Sequence, residues 1–249
     1  MDLRWGILAG YGPLFAQGLA MTVLLTVVSL SLGMVLGLLS GLVSSSRDQP
    51  LPRSPWRWPL YGLQWLVSAY VTFFRGTPLF VQILLVHFAL MPMLVHPDDG
   101  LIVSGELART FRQNHGAFLS GVLALTLNAG AYISEIFRAG IQSIASGQWQ
   151  AAQALGLNHA QTLRLVILPQ AFRRMVPAFV NEAITLTKDS SLVSAIGLAE
   201  LALAARTVAG AYSRYWEPYL AISAMYLLLT WSLSLLAKKL EVPAHLRGR

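Results

Sequence analysis

Residues 13–43 read PLFAQGLAMTVLLTVVSLSLGMVLGLLSGLV, within a longer stretch from Trp5 to Ser46 that contains no Lys, Arg, Asp or Glu. A helix from about Pro13 to Val43 exceeds the roughly 20 apolar residues needed to cross a bilayer, which makes this the first membrane span. A cleaved signal peptide has a short apolar region behind a basic segment. Here the apolar run is far longer, and only Arg4 precedes it. Gly33, Gly37 and Gly41 recur every four residues, which leaves one helix face bare and open to close approach by a neighbouring backbone.

Composition agrees. The chain has 249 residues, 55% hydrophobic and 12% charged, with a mean hydropathy of +0.57. That charge density is about half that of a soluble domain, too little to cover a water-exposed surface of this size. High apolar content, no glycine period and no cysteine exclude a disordered chain, a collagen-like fibre and a disulfide scaffold. The net charge of +7 is dispersed through apolar sequence and forms no dense stripe, so nucleic acid is not a partner and the excess reads as positive-inside topology.

Working onward, Ser44–Trp58 carries Arg47, Arg53 and Arg57 among Pro50, Pro52 and Pro55, and reads as a polar loop. The apolar stretch Pro59–Val95 is too long for one straight span and should break near Gly76 and Pro78. His96–His115, with Asp98, Asp99, Glu106, Arg109 and Arg112, reads as an aqueous loop, and about Gly116–Phe137 as span three. Arg138–Arg174 is too polar to cross. Span four runs from about Val176 to Gly197 despite Glu182, Lys188 and Asp189; a short loop with Arg206, Arg214 and Glu217 then leads to span five, about Pro218–Ala237. The expected fold is therefore all-α, a polytopic membrane bundle of about five helices in a single domain, 1–249. Placing Ser44–Trp58, Arg138–Arg174 and the C-terminal tail in the cytoplasm gives that side eleven Lys/Arg against five opposite, with the N-terminus outside.

Several chemistries are missing from the sequence. None of Lys188, Lys238 and Lys239 follows a glycine, so there is no phosphate-binding GxxxxGK[ST] loop. The five histidines form no HExxH and there are no thiolates, so neither a metal site nor a catalytic residue is expected. No Gly-x-Ser-x-Gly elbow supports an intramembrane hydrolase.

The polar segment is patterned. In Ser146–Asn158, Ala151, Ala152 and Leu155 share one face of a short helix that Gly156 can end as a left-handed cap. Asn158 and Gln161 form a capping-box pair opening a second helix. Small residues on such a helix suit insertion into a groove of another protein; packing on the chain's own bundle is the alternative.

These residues carry a resemblance. Gln150-Ala-Ala, then Gly156, then Val166-x-Leu168-Pro169 resembles the "EAA" loop of ATP-binding-cassette importer permeases, with Gln where Glu is usual. Phe74-Arg-Gly-Thr-Pro-Leu79, Glu135-Ile-Phe-Arg-Ala-Gly-Ile141, Leu168-Pro-Gln-Ala171 and Lys188-Asp-Ser-Ser-Leu192 are similar to the polar amino-acid branch of that family, and the likeness covers about Leu14 to Leu240. It implies the type I (MetI-like) permease fold in a bacterial inner membrane, pairing with a second permease (itself or a homologue), two ATPase subunits below that hold the ATP and Mg, and a periplasmic or extracellular substrate-binding protein above. It also implies a coupling helix at about Gly147–Leu155 within a loop of about 138–174, with Gln150, Ala151, Ala152, Leu155 and Gly156 as ATPase-coupling residues. No cofactor is implied for this chain.

Charges inside span four need a reason, since each costs on the order of 2.5–3.5 kcal/mol at a bilayer centre by insertion scales. Glu182 and Asp189 lie seven residues apart, nearly eclipsed, with Thr185 on the same side; Asn181, Thr185 and Lys188 form an adjacent stripe. A zwitterionic amino acid needs a carboxylate for its ammonium and donors for its carboxylate, and Asp189, Glu182, Ser190, Ser191, Asn181, Thr185 and Lys188 are the candidate binding residues. Structural pairing of Lys188 with Asp189 is the competing account. Arg75 and Glu135 near span ends suit gating or snorkelling better than ligand contact. The alternative function is an ion-coupled secondary amino-acid transporter with Glu182 and Asp189 as its proton relay.

Overall fold

The computed structural model describes residues 3–45 and 58–240; the polar loop expected at Ser44–Trp58 and the basic tail lie almost wholly outside them. A 3-10 helix, Trp5–Tyr11, leads into α1, Gly12–Ser45. Then follow α2 (Trp58–Gly76), α3 (Leu79–Leu94), α4 (Gly105–Gln142), α5 (Ser146–Ala154), α6 (His159–Ile196), α7 (Leu201–Tyr212) and α8 (Trp216–Leu240). Among the described residues the one β contact is an isolated bridge between Val95 and Val103.

The pairing of helices sets the topology. Gly33 faces Ala129, Gly37 faces Ile133 and Gly41 faces Phe137, so α1 and α4 run parallel in constant register. Gly140 against Met175 and Gly121 against Val193 make α6 antiparallel to α4. A chain that crosses in α1 and crosses the same way in α4 must return once between them, so α2 and α3 together count as one traverse. Among the described residues three helices are long and apolar enough to span alone, and counting each of the bent pairs α2–α3 and α6–α7 as one span makes five.

The first bend, 113°, sits at Gly76-Thr77-Pro78 as expected. Pro78 has no N–H to donate, and the break orphans carbonyls that lipid cannot satisfy. Buried Gln82 answers them: its Nε2 donates to the Phe74 and Thr77 carbonyls at 2.9 and 3.0 Å, while Asn128 Nδ2 on α4 donates to Gln82 Oε1 at 2.9 Å. The broken helix is thereby fastened to α4.

Two expected loops are corrected. His96–His115 is irregular only as far as Ser104, and α4 begins at Gly105, its first turns supported by an Arg109–Glu106 pair at 2.7 Å. Charge marks where the bilayer ends, and the helix simply continues into water. The segment with Arg206 contains α7, a 12-residue helix with Leu201, Ala205 and Val208 buried. Its start is capped by Glu200, whose carboxylate accepts from the Ala202 and Leu203 N–H groups at 2.9 and 2.8 Å and from the Tyr226 hydroxyl of α8 at 2.8 Å. That carboxylate is fully buried, with backbone donors and a hydroxyl replacing water.

One core gathers Leu25, Ile83, Leu125, Ile133, Met175 and Val193 from α1, α3, α4 and α6; a second joins Phe15, Leu201, Val208 and Ile222. α8 exposes Leu227, Leu228, Trp231 and Leu236, which suits a face bathed in lipid.

The α1–α4 seam is testable. A Cβ on Gly37 would lie 2.5 Å from Ile133 Cγ2 and 2.8 Å from the Gly130 carbonyl oxygen, and that backbone atom has no rotamer to escape into. Gly37→Ala should cost about 1–3 kcal/mol as overpacking, lowering the detergent melting temperature. Gly62→Ala on α2, where the added atom meets nothing within 4 Å, should change it negligibly.

Candidate functional site

Two regions carry chemistry beyond packing: the short helix α5 with its flanks, and the outward face of α6.

α5 ends in a Schellman motif. Gly156 adopts φ +82°, the Leu157 N–H reaches the Ala152 carbonyl at 3.1 Å and the Gly156 N–H reaches the Gln153 carbonyl at 2.9 Å. Two residues later the capping box closes: Gln161 N–H donates to Asn158 Oδ1 and the Asn158 N–H donates to Gln161 Oε1, both at 2.9 Å. Both local signals in the sequence therefore form as read, over Ser146–Ala154 rather than Gly147–Leu155.

α5 is bolted to its neighbours. The Trp149 ring stacks on His159 with centroids 5.3 Å apart, Gln170 Nε2 donates to Gln148 Oε1 at 3.2 Å, and Arg174 Nη1 donates to the Ser143 carbonyl at 2.5 Å. The structure divides the expected coupling residues. Ala152 is buried at 3% exposure against the chain's own bundle, whereas Gln150, Ala151 and Gly156 are exposed and Leu155 is 82% exposed. One side of the helix therefore packs inward on the chain's own bundle and the other is solvent-exposed.

On α6, Asn181, Thr185 and Lys188 form one exposed stripe. Glu182 and Asp189 are half-buried along its edge, two turns apart, and Ser191 is half-buried in the 3-10 turn that follows. Ser190 does not join them: it is fully buried and its hydroxyl donates to the Thr187 carbonyl at 2.8 Å. The residue after Asp189 is rotated about 100° around the axis, into the core. No ion pair within 4.0 Å closes between Lys188 and Asp189 or engages Glu182 among the described residues.

Arg75 and Glu135, expected to gate or snorkel, meet in one ion-paired cluster. Arg138 grips Glu135 with Nη2–Oε2 at 2.8 Å and Nε–Oε1 at 3.1 Å; Arg75 Nη1 lies 3.4 Å from Glu135 Oε2 and its guanidinium sits over the Tyr132 ring at 5.5 Å. Sequence reasoning passed over Gln82, Asn128, Glu200 and Tyr226. Gln82 had a readable signal, a lone amide four residues after a proline in an apolar run; the long-range partners had none.

Residues 62–241 match the family described as binding-protein-dependent transport system inner membrane component. The chain is 35% identical over 229 residues to the arginine transport system permease protein ArtQ of Bacillus subtilis, covering 92% of this chain and 91% of that one. It is 32% identical to the glutamate/aspartate import permease protein GltK of Escherichia coli O157:H7, over 96% and 97% of the two chains. A crystal structure of an amino acid ABC transporter with histidines superposes with a TM-score of 0.78 at 35% identity, over 97% of this chain and 99% of that one. Nothing in these likenesses favours the ion-coupled alternative. The chain belongs to the binding-protein-dependent inner membrane component family, and is the multi-pass permease subunit of an ATP-binding-cassette transporter, with nucleotide hydrolysis in a separate subunit.

Proposed function

We propose that this permease imports polar amino acids, acting as a single domain over 1–249 with its N-terminus outside and its C-terminus in the cytoplasm. The observation that carries the reading is the α6 face. Asn181, Thr185 and Lys188 lie bare on a membrane-crossing helix with Glu182 and Asp189 beside them. Such a face cannot meet lipid without cost, and it suits an aqueous path shared with a second permease subunit. Both named relatives are amino-acid permeases by name, which fits a zwitterionic substrate.

In this reading Asp189, with Glu182 nearby, receives the substrate ammonium, while Lys188, Ser191, Asn181 and Thr185 supply donors to its carboxylate. Ser190 is set aside because its hydroxyl is spent on the Thr187 carbonyl. A binding protein delivers the substrate, and two ATPase subunits seat the exposed side of α5 (Gln150, Ala151, Leu155 and Gly156) in their grooves. Approach of the ATPases moves α5, and through it α4 and α6, alternating access to a midplane site.

The decisive experiment reconstitutes the permease with its ATPase and binding protein in proteoliposomes and follows ATP-dependent uptake of labelled amino acids; uptake by the permease alone on a proton gradient would overturn the proposal. Leu155→Asp should leave insertion and melting temperature unchanged, the site being solvent-exposed, and reduce substrate-stimulated ATPase activity at least tenfold because a docked charge is buried unpaired. Gly156→Asp confounds docking with strain at φ +82°, and Ala152→Asp with misfolding, so Leu155 is the cleaner position.

Asp189→Asn keeps volume and removes charge. Loss of one charge-assisted hydrogen bond, about 1.5–3 kcal/mol, should raise the half-saturating substrate concentration roughly 10- to 150-fold with basal ATPase activity intact. Glu182→Gln should weaken a cationic substrate and spare a neutral one. Wild-type concentration dependence in Asp189→Asn would move the site elsewhere.

A further inference from the structure

At the end of α4 remote from α5, the first turns of α4, the second half of α3 and the segment after it enclose a cavity of about 470 Å³. Its walls differ in kind. Arg109, Arg112 and Gln113 line one part, and Phe88, Met91 and Pro92 line another. Between them His87 Nδ1 lies 2.9 Å from Ser120 Oγ, tying α3 to α4 at the floor.

The depth of the basic wall is informative. The apolar run of α4 opens at Gly116. At 1.5 Å per residue, Arg112 and Arg109 stand about 6 Å and about 10 Å along the helix beyond it. A bilayer of ~40–45 Å with a ~30 Å hydrocarbon core leaves a headgroup layer of roughly 5–8 Å per leaflet, so Arg112 sits at phosphate level with Arg109 just above. Arg109 is already paired with Glu106 at 2.7 Å. Arg112 makes no hydrogen bond or ion pair among the described residues, although it faces the same cavity. A guanidinium beside an amide offers a fork of donors to phosphate oxygens, and apolar side chains a few ångströms deeper suit the glycerol and first methylenes of an acyl chain. A soluble anion would use the rim and leave Phe88, 65% exposed, and Met91 unanswered.

We propose that this cavity is a phospholipid headgroup site, with Arg112 and Gln113 holding the phosphate, Arg109 adding positive potential, and Phe88 and Met91 carrying the top of the acyl chains.

The test uses the full-length chain in a maltoside detergent, which carries no phosphate, titrated with dihexanoyl phosphatidylglycerol and read by native mass spectrometry. Saturable binding of one lipid per chain is expected, weakened about tenfold in Arg112→Gln and unchanged in Arg206→Gln, an exposed arginine of α7 outside this cavity. In a second arm glycerol 3-phosphate replaces the lipid. It should bind far more weakly, and Phe88→Ala should lower lipid affinity without altering that of glycerol 3-phosphate. Equal lipid binding by wild type and Arg112→Gln would remove the site. Equal affinity for glycerol 3-phosphate and lipid would assign the cavity to a free phosphate and overturn the lipid assignment.

Discussion

Close approach of α1 and α4 is the constraint on which the rest of this structure depends. In a membrane, apolar side chains gain little by leaving lipid for protein, so helix association rests on close packing and polar contacts. Three glycines at four-residue spacing let the backbone of α1 reach Ala129, Ile133 and Phe137 of α4 in a parallel register. Parallel packing of two spans fixes the parity of what lies between them, which is why the bent α2–α3 pair has to act as one crossing. α6 then packs antiparallel on the other side of α4, with Gly140 and Gly121 admitting Met175 and Val193.

The breaks in this bundle are held by polar side chains in buried positions. Gln82 and Asn128 serve the carbonyls released at Pro78, and Glu200 serves the amides that open α7. Each also reaches across to another helix, so local repair and tertiary fastening come from the same atoms. The partly exposed Glu135–Arg138–Arg75 cluster ties α2 to α4 without serving a break.

Spans, the glycine seam, the Gly156 cap and the Asn158–Gln161 box were legible because each depends on residues close in sequence and on one physical rule. The ends of α4 and the whole of α7 were not. Glu106, Arg109 and Arg112 read as loop because charge reports solvent rather than backbone conformation, and a helix that leaves the bilayer looks the same as a loop that does so. α7 was hidden because its cap, Glu200, is stabilised by Tyr226 of a later helix. At the α6 face, helical periodicity gathered Asn181, Thr185 and Lys188 correctly, but adjacency in sequence misled at Ser190, which the turn after Asp189 rotates into the core.

The bolting of α5 has a mechanical consequence. Because Trp149 and Gln148 grip the first turns of α6, displacement of α5 is applied at one end of that helix, with the core contact of Met175 on Gly140 near its middle acting as a fulcrum. Asp189 lies fourteen residues beyond Met175, about 21 Å along the axis, so a tilt of about 5° around that contact swings the far carboxylate by roughly 2 Å. The two arms are nearly equal, so a stroke at the water-exposed end arrives among the intramembrane charges reversed in direction and little reduced, enough to make or break a hydrogen bond there.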